Sequence, residues 1–293
     1  MRGIKSNLKT DRGKEWKVTE AGLTDLHIHT NASDGTWDIP TLIEKLRRNR
    51  ITHFSITDHD TFINSEKMLK EDLQGLNFVI GVEVSSMVEQ KEFHILAYDF
   101  DYTNKELNEL LLFNQSARKE YDRRIIEYLK SENIIKDTTG YDDYRYHPSR
   151  GGWESLNYLI DKGIITHKNE FFSLLENMGG SPEFKNPQAV VEVILRAGGT
   201  PVLAHPTNYC PIEKLNKNVL DRWIEWGIQG IECYSPYLRQ QSDAGVLVDY
   251  CKDQNLLITS GSDCHGEFLD RPLGYPKITL DNLVVPFLKP KVW

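Results

Sequence analysis

Leu23-Thr24-Asp25-Leu26-His27-Ile28-His29-Thr30, closing with Ser33-Asp34-Gly35, is the stretch on which the reading of the whole chain turns. Its first part has the composition of a buried strand and its end that of a polar loop. Side chains alternate faces along a strand, so the pattern predicts Asp25, His27 and His29 on one face and Leu26 and Ile28 on the other. Two imidazoles two residues apart can converge on one point, which suits a metal ion seeking several N or O donors at about 2 Å. The same pair equally describes two hydrogen-bonded histidines at a strand end, and the stretch alone leaves both readings open.

Outward from it, strand and helix signals alternate. Asp38-Ile39-Pro40 starts a helix that ends near Asn49, 52–57 reads as a strand, and a helix covers about 65–73. Strands follow at 78–84 and 93–98. Asn104 then caps a long helix to about 131, and 102–185 reads as a mostly helical insertion with short helices at 154–162 and 169–177. The alternation resumes at Asn186-Pro187, a cap with proline at the first helical position. That helix stops at Gly198-Gly199. Strands at 201–204, 230–233 and 256–260 are separated by helices at 219–226 and 240–254. Seven strands alternating with helices predict an α/β fold with a parallel sheet, closed or nearly closed into a barrel. In such barrels active sites collect at the carboxyl ends of the strands. The expected organisation is a lead-in at 1–20, a barrel formed by 21–101 and 186–293, and the insertion 102–185 as a cap over it.

Composition narrows the function. The 293 residues are 39% apolar and 27% charged, enough apolar surface for a sizeable core. A net charge of −8 argues against a broad basic surface for long duplex nucleic acid. The polar start, Met1 to Val18, lacks the apolar segment of a signal peptide, and no apolar run is long enough to span a bilayer; the expected location is the cytoplasm. The four cysteines form no Cys-x-x-Cys pair, so neither a thiolate zinc knuckle nor a redox motif is indicated. Cys233 and Cys251 read as small buried residues. Cys264 lies beside the chemistry and reads as packing rather than as a nucleophile. Nothing in the sequence fixes an oligomeric state.

The positions of the metal-capable residues carry the most information. His27 and His29 end the first strand, with Asp34 in its loop. His59 follows the second strand, Glu83 lies near the end of the third, His205 follows the fifth, and Asp263 and His265 follow the last. His94, near the start of the fourth strand, is the exception. Six of the nine histidines fall in this set; His53, His147 and His167 do not. Core packing gives no reason for six histidines and three acids to gather at one barrel end.

Together, His27-Ile28-His29, Ser33-Asp34-Gly35, Thr57-Asp58-His59-Asp60, Gly81-Val82-Glu83, the later His94, Ala204-His205-Pro206 and Gly261-Ser262-Asp263-Cys264-His265 resemble the polymerase-and-histidinol-phosphatase (PHP) family. The similarity covers most of 22–104 and 186–275. It implies a distorted (β/α)7 barrel holding up to three divalent ions, Mn, Fe, Zn or Mg. The similar subgroup carries a helical insertion, and some of its members remove phosphate from nucleotides such as 3′,5′-bisphosphates or trim short RNA ends. Carried over, the resemblance gives one ion to His27, His29, Glu83 and Asp263. A second goes to Glu83, His94 and His205, and a third to Asp34, His59 and His265. Asp263 and His205 would then be catalytic, through a water or hydroxide held between the first two ions, about 3.5–4 Å apart. Three divalent ions against three carboxylates leave the site positive by roughly three charges, enough to draw a phosphate into an acidic protein.

Asp25, Asp58 and Asp60 are candidates to orient metal-bound imidazoles; Asp58 or Asp60 could instead cap the following helix. The chain departs from the subgroup where relatives carry Gly-Arg-Pro-His: it has Ser149-Arg150-Gly151-Gly152-Trp153-Glu154. Arg150 from a shifted position, and Arg239 on a strand-end loop, are the expected phosphate contacts, against the alternative of solvated loop arginines. Trp153, Tyr144 and Tyr146 either stack on a base or form the insertion's own core. The expected reaction is hydrolysis of a phosphomonoester of a nucleotide or short oligonucleotide. A non-nucleotide metabolite such as histidinol phosphate, or a non-catalytic metal-binding module, are the alternatives.

Overall fold

The computed structural model describes residues 22–288, so the lead-in expected at 1–20 lies outside the described residues. The first half of the barrel is β1 (Leu23–Asp25), α1 (Ile39–Arg48), β2 (Ile51–Ile56), α2 (Ile63–Met68), β3 (Asn77–Val88) and β4 (Lys91–Tyr98). The helical region follows as α3 (Lys105–Ser131), α4 (Glu154–Asp161) and α5 (Lys168–Met178). The second half is α6 (Pro187–Arg196), β5 (Thr200–Leu203), α7 (Pro206–Tyr209), α8 (Lys217–Glu225), β6 (Gly230–Tyr234), α9 (Ala244–Gln254), β7 (Leu257–Ser260) and β8 (Ile278–Thr279). The caps read from sequence are the ones used. Asp38, Asn104 and Asn186 each accept a hydrogen bond from the backbone N–H three residues on, satisfying a donor the helix itself leaves open.

One sheet of eight strands runs in the order β8-β1-β2-β3-β4-β5-β6-β7. The expectation of seven parallel strands is corrected in two places. β4 is antiparallel to both β3 and β5, and β8, too short to show in the sequence, is antiparallel to β1. The reversal at β4 comes from a two-residue turn. Glu89 and Gln90 both adopt positive φ, 50° and 63°, the backbone that tight hairpins favour. Neither is the Asn or Gly that usually announces such a turn. Between β7 and β1 the barrel is nearly closed: the Leu26 N–H donates to the Ser260 carbonyl (3.0 Å) and the His29 N–H to the Cys264 carbonyl (2.9 Å).

Regular strand geometry ends at Asp25, and the alternation expected beyond it breaks. Leu26 packs inside with Val79, Leu96, Tyr98 and Val202 over Val285 and Leu288, whereas Ile28 packs outward against Leu42 and Leu46 of α1. Helix α3 divides between two cores. Leu107, Leu110 and Leu111 belong to the barrel layer, while Tyr121, Ile125, Ile126 and Leu129 pack with α4, α5 and Phe268. Among the described residues no helix is long and apolar enough to cross a membrane.

Candidate active site

The nine residues gather at one mouth of the barrel. His27, His29, Glu83, Asp34, His205, Asp263 and His265 are all buried there. Two of the nine arrive differently from expectation. Glu83 is in the middle of β3, because the strand continues to Val88 after changing partner from β2 to β4 at Gly81. Only glycine fits that crossing: a Cβ on Gly81 would lie 2.2 Å from Ser55 Oγ. His94 ceases to be an exception once β4 is antiparallel, since the start of β4 then lies among the carboxyl ends of its neighbours. Its carbonyl accepts from the Ala204 N–H, one residue before His205 (3.2 Å).

The side chains converge around Glu83. His27 Nε2 and His29 Nε2 lie 3.2 and 3.1 Å from Glu83 Oε2, and 3.4 and 3.0 Å from Asp263 Oδ1. On the other oxygen, Oε1, His94 Nδ1 and His205 Nε2 stand at 3.0 and 2.9 Å. Asp34 Oδ2 is 3.3 Å from His265 Nε2 and 3.9 Å from His59 Nε2. Three sets have ligand-capable atoms mutually within 4.8 Å: His27, His29, Glu83 and Asp263; His29, Asp34, His59 and His265; and His59, Glu83 and His94. His29 and His59 are thus each shared between sets, and the third set has His59 where the resemblance implied His205.

The donors fit divalent cations. His29 Nδ1, His59 Nδ1, His94 Nδ1, His205 Nδ1 and Glu83 Oε2 are buried yet have no hydrogen-bond partner. Several are at ion-pair distance from a carboxylate without hydrogen-bond geometry. So many orphaned polar atoms in one place are costly unless something else satisfies them. An N/O set without thiolate suits Mn, Fe, Zn or Mg.

Without cations the cluster balances its charge with protons. Burial opposes ionisation throughout. For Glu83 it is outweighed by the charges of His27, His94 and His59, which hold the carboxyl well below the usual range. For His29 and His94 it is outweighed by Glu83 and neighbouring carboxylates, which raise the rings to about 9 and about 10. His59 goes the other way, to about 3, because burial there prevails over Glu83 and Asp34, with His29 and His94 adding repulsion.

The supporting carboxylates are not those expected. Asp25 accepts from the Ser262 N–H (2.9 Å), the Ser262 hydroxyl (2.6 Å) and the Gly274 N–H (2.7 Å), so it anchors the loop after β7 rather than an imidazole. Asp58 accepts from the Thr30 N–H and the Thr30 and Ser33 hydroxyls (2.7, 2.6 and 2.7 Å) and fixes the Asp34 loop. Asp60 accepts from the Ser85 N–H (2.9 Å) and Asn114 (2.7 Å). Neither caps α2, whose first turn has no side-chain cap. Asp25 and Asp58 thus reach loop amides and hydroxyls, and Asp60 ties strand β3 to helix α3. Imidazoles are oriented by residues that sequence reading missed. Glu232 Oε1 lies 3.0 Å from His27 Nδ1 while its Oε2 accepts from the His205 N–H (2.8 Å). Glu92 Oε1 lies 2.9 Å from His94 Nε2. The available signal for Glu232 was a carboxylate in the middle of the otherwise apolar Gly230–Tyr234 strand.

A cleft of about 610 Å³ opens against the mouth, with Asp34, His59 and His94 on one wall and Arg118, Lys119, Tyr146 and Trp153 on the other. Arg150 and Arg239 line neither wall. Arg150 pairs with Asp161 (2.8 Å) within the helical region, and Arg239 pairs with Glu213 (2.8 Å) on another loop. The carboxylates nearest in the fold claimed both. Arg118 is itself paired with Glu92; Lys119 makes no ion pair among the described residues. Tyr144 packs on Tyr158, and Trp153 packs on Phe171, Phe172 and Phe268 while also facing the cleft. Cys264 is buried, and burial pushes its thiol up to about 12, which suits packing and not attack.

A twisted α/β barrel with this histidine and carboxylate cluster at its mouth defines a metal-dependent hydrolase. Residues 25–171, half of the chain, match the PHP domain, and the chain belongs to that family of phosphoesterases. A 5′-3′ exoribonuclease of Haemophilus influenzae is 25% identical over 253 residues, covering 82% of this chain and 89% of that protein. A 3′,5′-nucleoside bisphosphate phosphatase of Chromobacterium violaceum is 26% identical over 247 residues, covering 82% of this chain and 86% of that one. A solved structure from Bifidobacterium adolescentis shares the fold with a TM-score of 0.73 at 22% identity, over 91% of this chain and 98% of the other.

Proposed function

We propose that this phosphoesterase hydrolyses a phosphomonoester of a nucleotide or of a short oligonucleotide end, with three divalent ions. His27, His29, Glu83 and Asp263 hold one ion, Glu83, His94 and His205 a second, and Asp34, His59 and His265 a third. Such ions supply an acidified water as nucleophile and charge neutralisation on the phosphate. The protein's own part is to aim the donors, exclude bulk water and hold the substrate. Glu232 fixes the His27 ring and the His205 backbone, and the buried mouth strengthens every charge within it. Lys119 offers the cleft an ammonium for phosphate, and the Trp153 ring offers an apolar wall for a base. A cleft of about 610 Å³ is within the usual range for ligands of nucleotide size.

The observation that carries the reading is the set of unpartnered buried ring nitrogens around the equally unpartnered Glu83 Oε2, with His59 and His94 of that set lining the cleft. The test is metal analysis joined to phosphate release. The assay panel holds a nucleoside 3′,5′-bisphosphate, a 5′-phosphorylated oligoribonucleotide and histidinol phosphate. Release from the first two, lost on chelation and restored by Mn²⁺, is the expected result. Preference for histidinol phosphate would replace the substrate, and full activity in chelated protein would remove the metals from the mechanism.

A further inference from the structure

One carboxylate of the cluster is held unlike the others. Around Asp34 and Glu83, among the described residues, the ion-pairing partners are imidazoles alone. Asp263 turns Oδ1 toward His29 and His27 and gives Oδ2 to two groups outside the cluster. The Tyr237 hydroxyl donates to Oδ2 at 2.7 Å, and the Arg271 guanidinium pairs with the same oxygen. The guanidinium also lies 4.8 Å from the Tyr237 ring centre, so the two partners brace each other. Tyr237 comes from the loop after β6 and Arg271 from the loop between β7 and β8, and neither loop carries any of the nine metal-capable residues except Asp263 and His265 themselves. The grip on Oδ2 by Tyr237 and Arg271 is what sets the direction of the Asp263 carboxylate.

We propose that Tyr237 and Arg271 are positioning residues. They occupy Oδ2, so that Asp263 presents Oδ1 alone to a divalent cation instead of chelating it with both oxygens. The proposal rests on the metal-dependent reading above and concerns how one donor is aimed, a job that partners behind the ligands commonly perform.

Tyr237→Phe removes one hydroxyl and no charge, so it isolates aim from electrostatics. Mn²⁺ titration of the chelator-treated variant is expected to show affinity weakened about tenfold. Arg271→Gln is expected to lower kcat about 10- to 100-fold with KM for the phosphomonoester within about threefold, and Arg271→Lys to recover part of the loss. A raised KM at unchanged kcat would make Arg271 a phosphate contact and overturn the proposal. Wild-type Mn²⁺ affinity in Tyr237→Phe together with wild-type kcat in Arg271→Gln would overturn it too. Wild-type enzyme that works without metal sinks the underlying reading, whereas a metal-dependent wild type with indifferent variants sinks only the clamp.

Discussion

The barrel mouth and the helical region that faces it are built on opposite principles. At the mouth, charged and polar side chains are buried and few can be exchanged, because each position needs an N or O donor at a set place. The helical region is held by interlocking aromatic and aliphatic residues, Tyr121, Tyr158, Phe171 and Phe268 among them. Its polar residues reach the cleft only where that packing happens to point them. The difference teaches where specificity is free to change. The mouth sets the reaction, and the facing wall can vary its contacts without disturbing it.

The largest effects should come from the mouth. His205→Ala and Asp263→Ala should each lower kcat/KM by roughly a thousandfold or more, about 4 kcal/mol of transition-state stabilisation, while circular dichroism stays native. An active variant of either kind would erase the contrast. One shell back, Glu232→Gln should cost about 10- to 100-fold in activity or metal affinity, read by metal analysis of the purified variant. On the facing wall, Lys119→Ala should raise KM about 5- to 10-fold with little change in kcat, about 1 kcal/mol of uniform binding. Arg150→Ala, tied to Asp161, should leave KM unchanged; a higher KM would bring Arg150 back to the cleft.

One further effect concerns stability alone and leaves the reaction untouched. Burial raises the Asp122 carboxyl to about 6, despite its hydrogen bond from Ser155 and the nearby Arg118. A raised folded pKa means that the protonated form is preferred on folding. That stability is full below the unfolded value near 3.8 and is lost as pH rises through 6. Asp122→Asn should therefore match wild type in thermal melts at pH 4 and exceed it by of order 1–2 kcal/mol at pH 8. An equal Asn–Asp difference at both pH values would mean that the carboxyl is ionised without penalty.

Legibility divides along the same line as the comparison. The nine mouth residues could be read because so many histidines and carboxylates, in short motifs close to predicted strands, have no explanation in core packing. Glu232 could not, since a single acid in an apolar strand has no spacing to test. The β4 reversal was hidden because Glu89 and Gln90 supply positive φ without the glycine that signals it. On the helical wall, Arg118, Lys119, Arg123 and Arg124 follow one another closely along α3. Nothing in that local order says which of them faces the mouth, whereas Arg150, set beside a motif position, is bound to Asp161 away from the cleft. Tertiary placement decided every one of those cases.

The reversal of β4 also sets a length. Because the strand runs downward, the chain leaves it at Tyr98 on the barrel floor, and α3 must climb the full wall before it can overlook the mouth. Its 27 residues amount to about 40 Å. Asn114 and Gln115 bond to Asp60 as the helix passes the rim. Lys119 stands one turn higher. The helix is thus a measuring rod fixed at its foot. One residue added between Gln115 and Arg118 would turn Lys119 by about 100° and lift it about 1.5 Å, while seven would return its bearing but raise it about 10 Å. The reach of the substrate-facing wall is in this way written as a count of residues, adjustable by insertion or deletion with every residue of the mouth left in place.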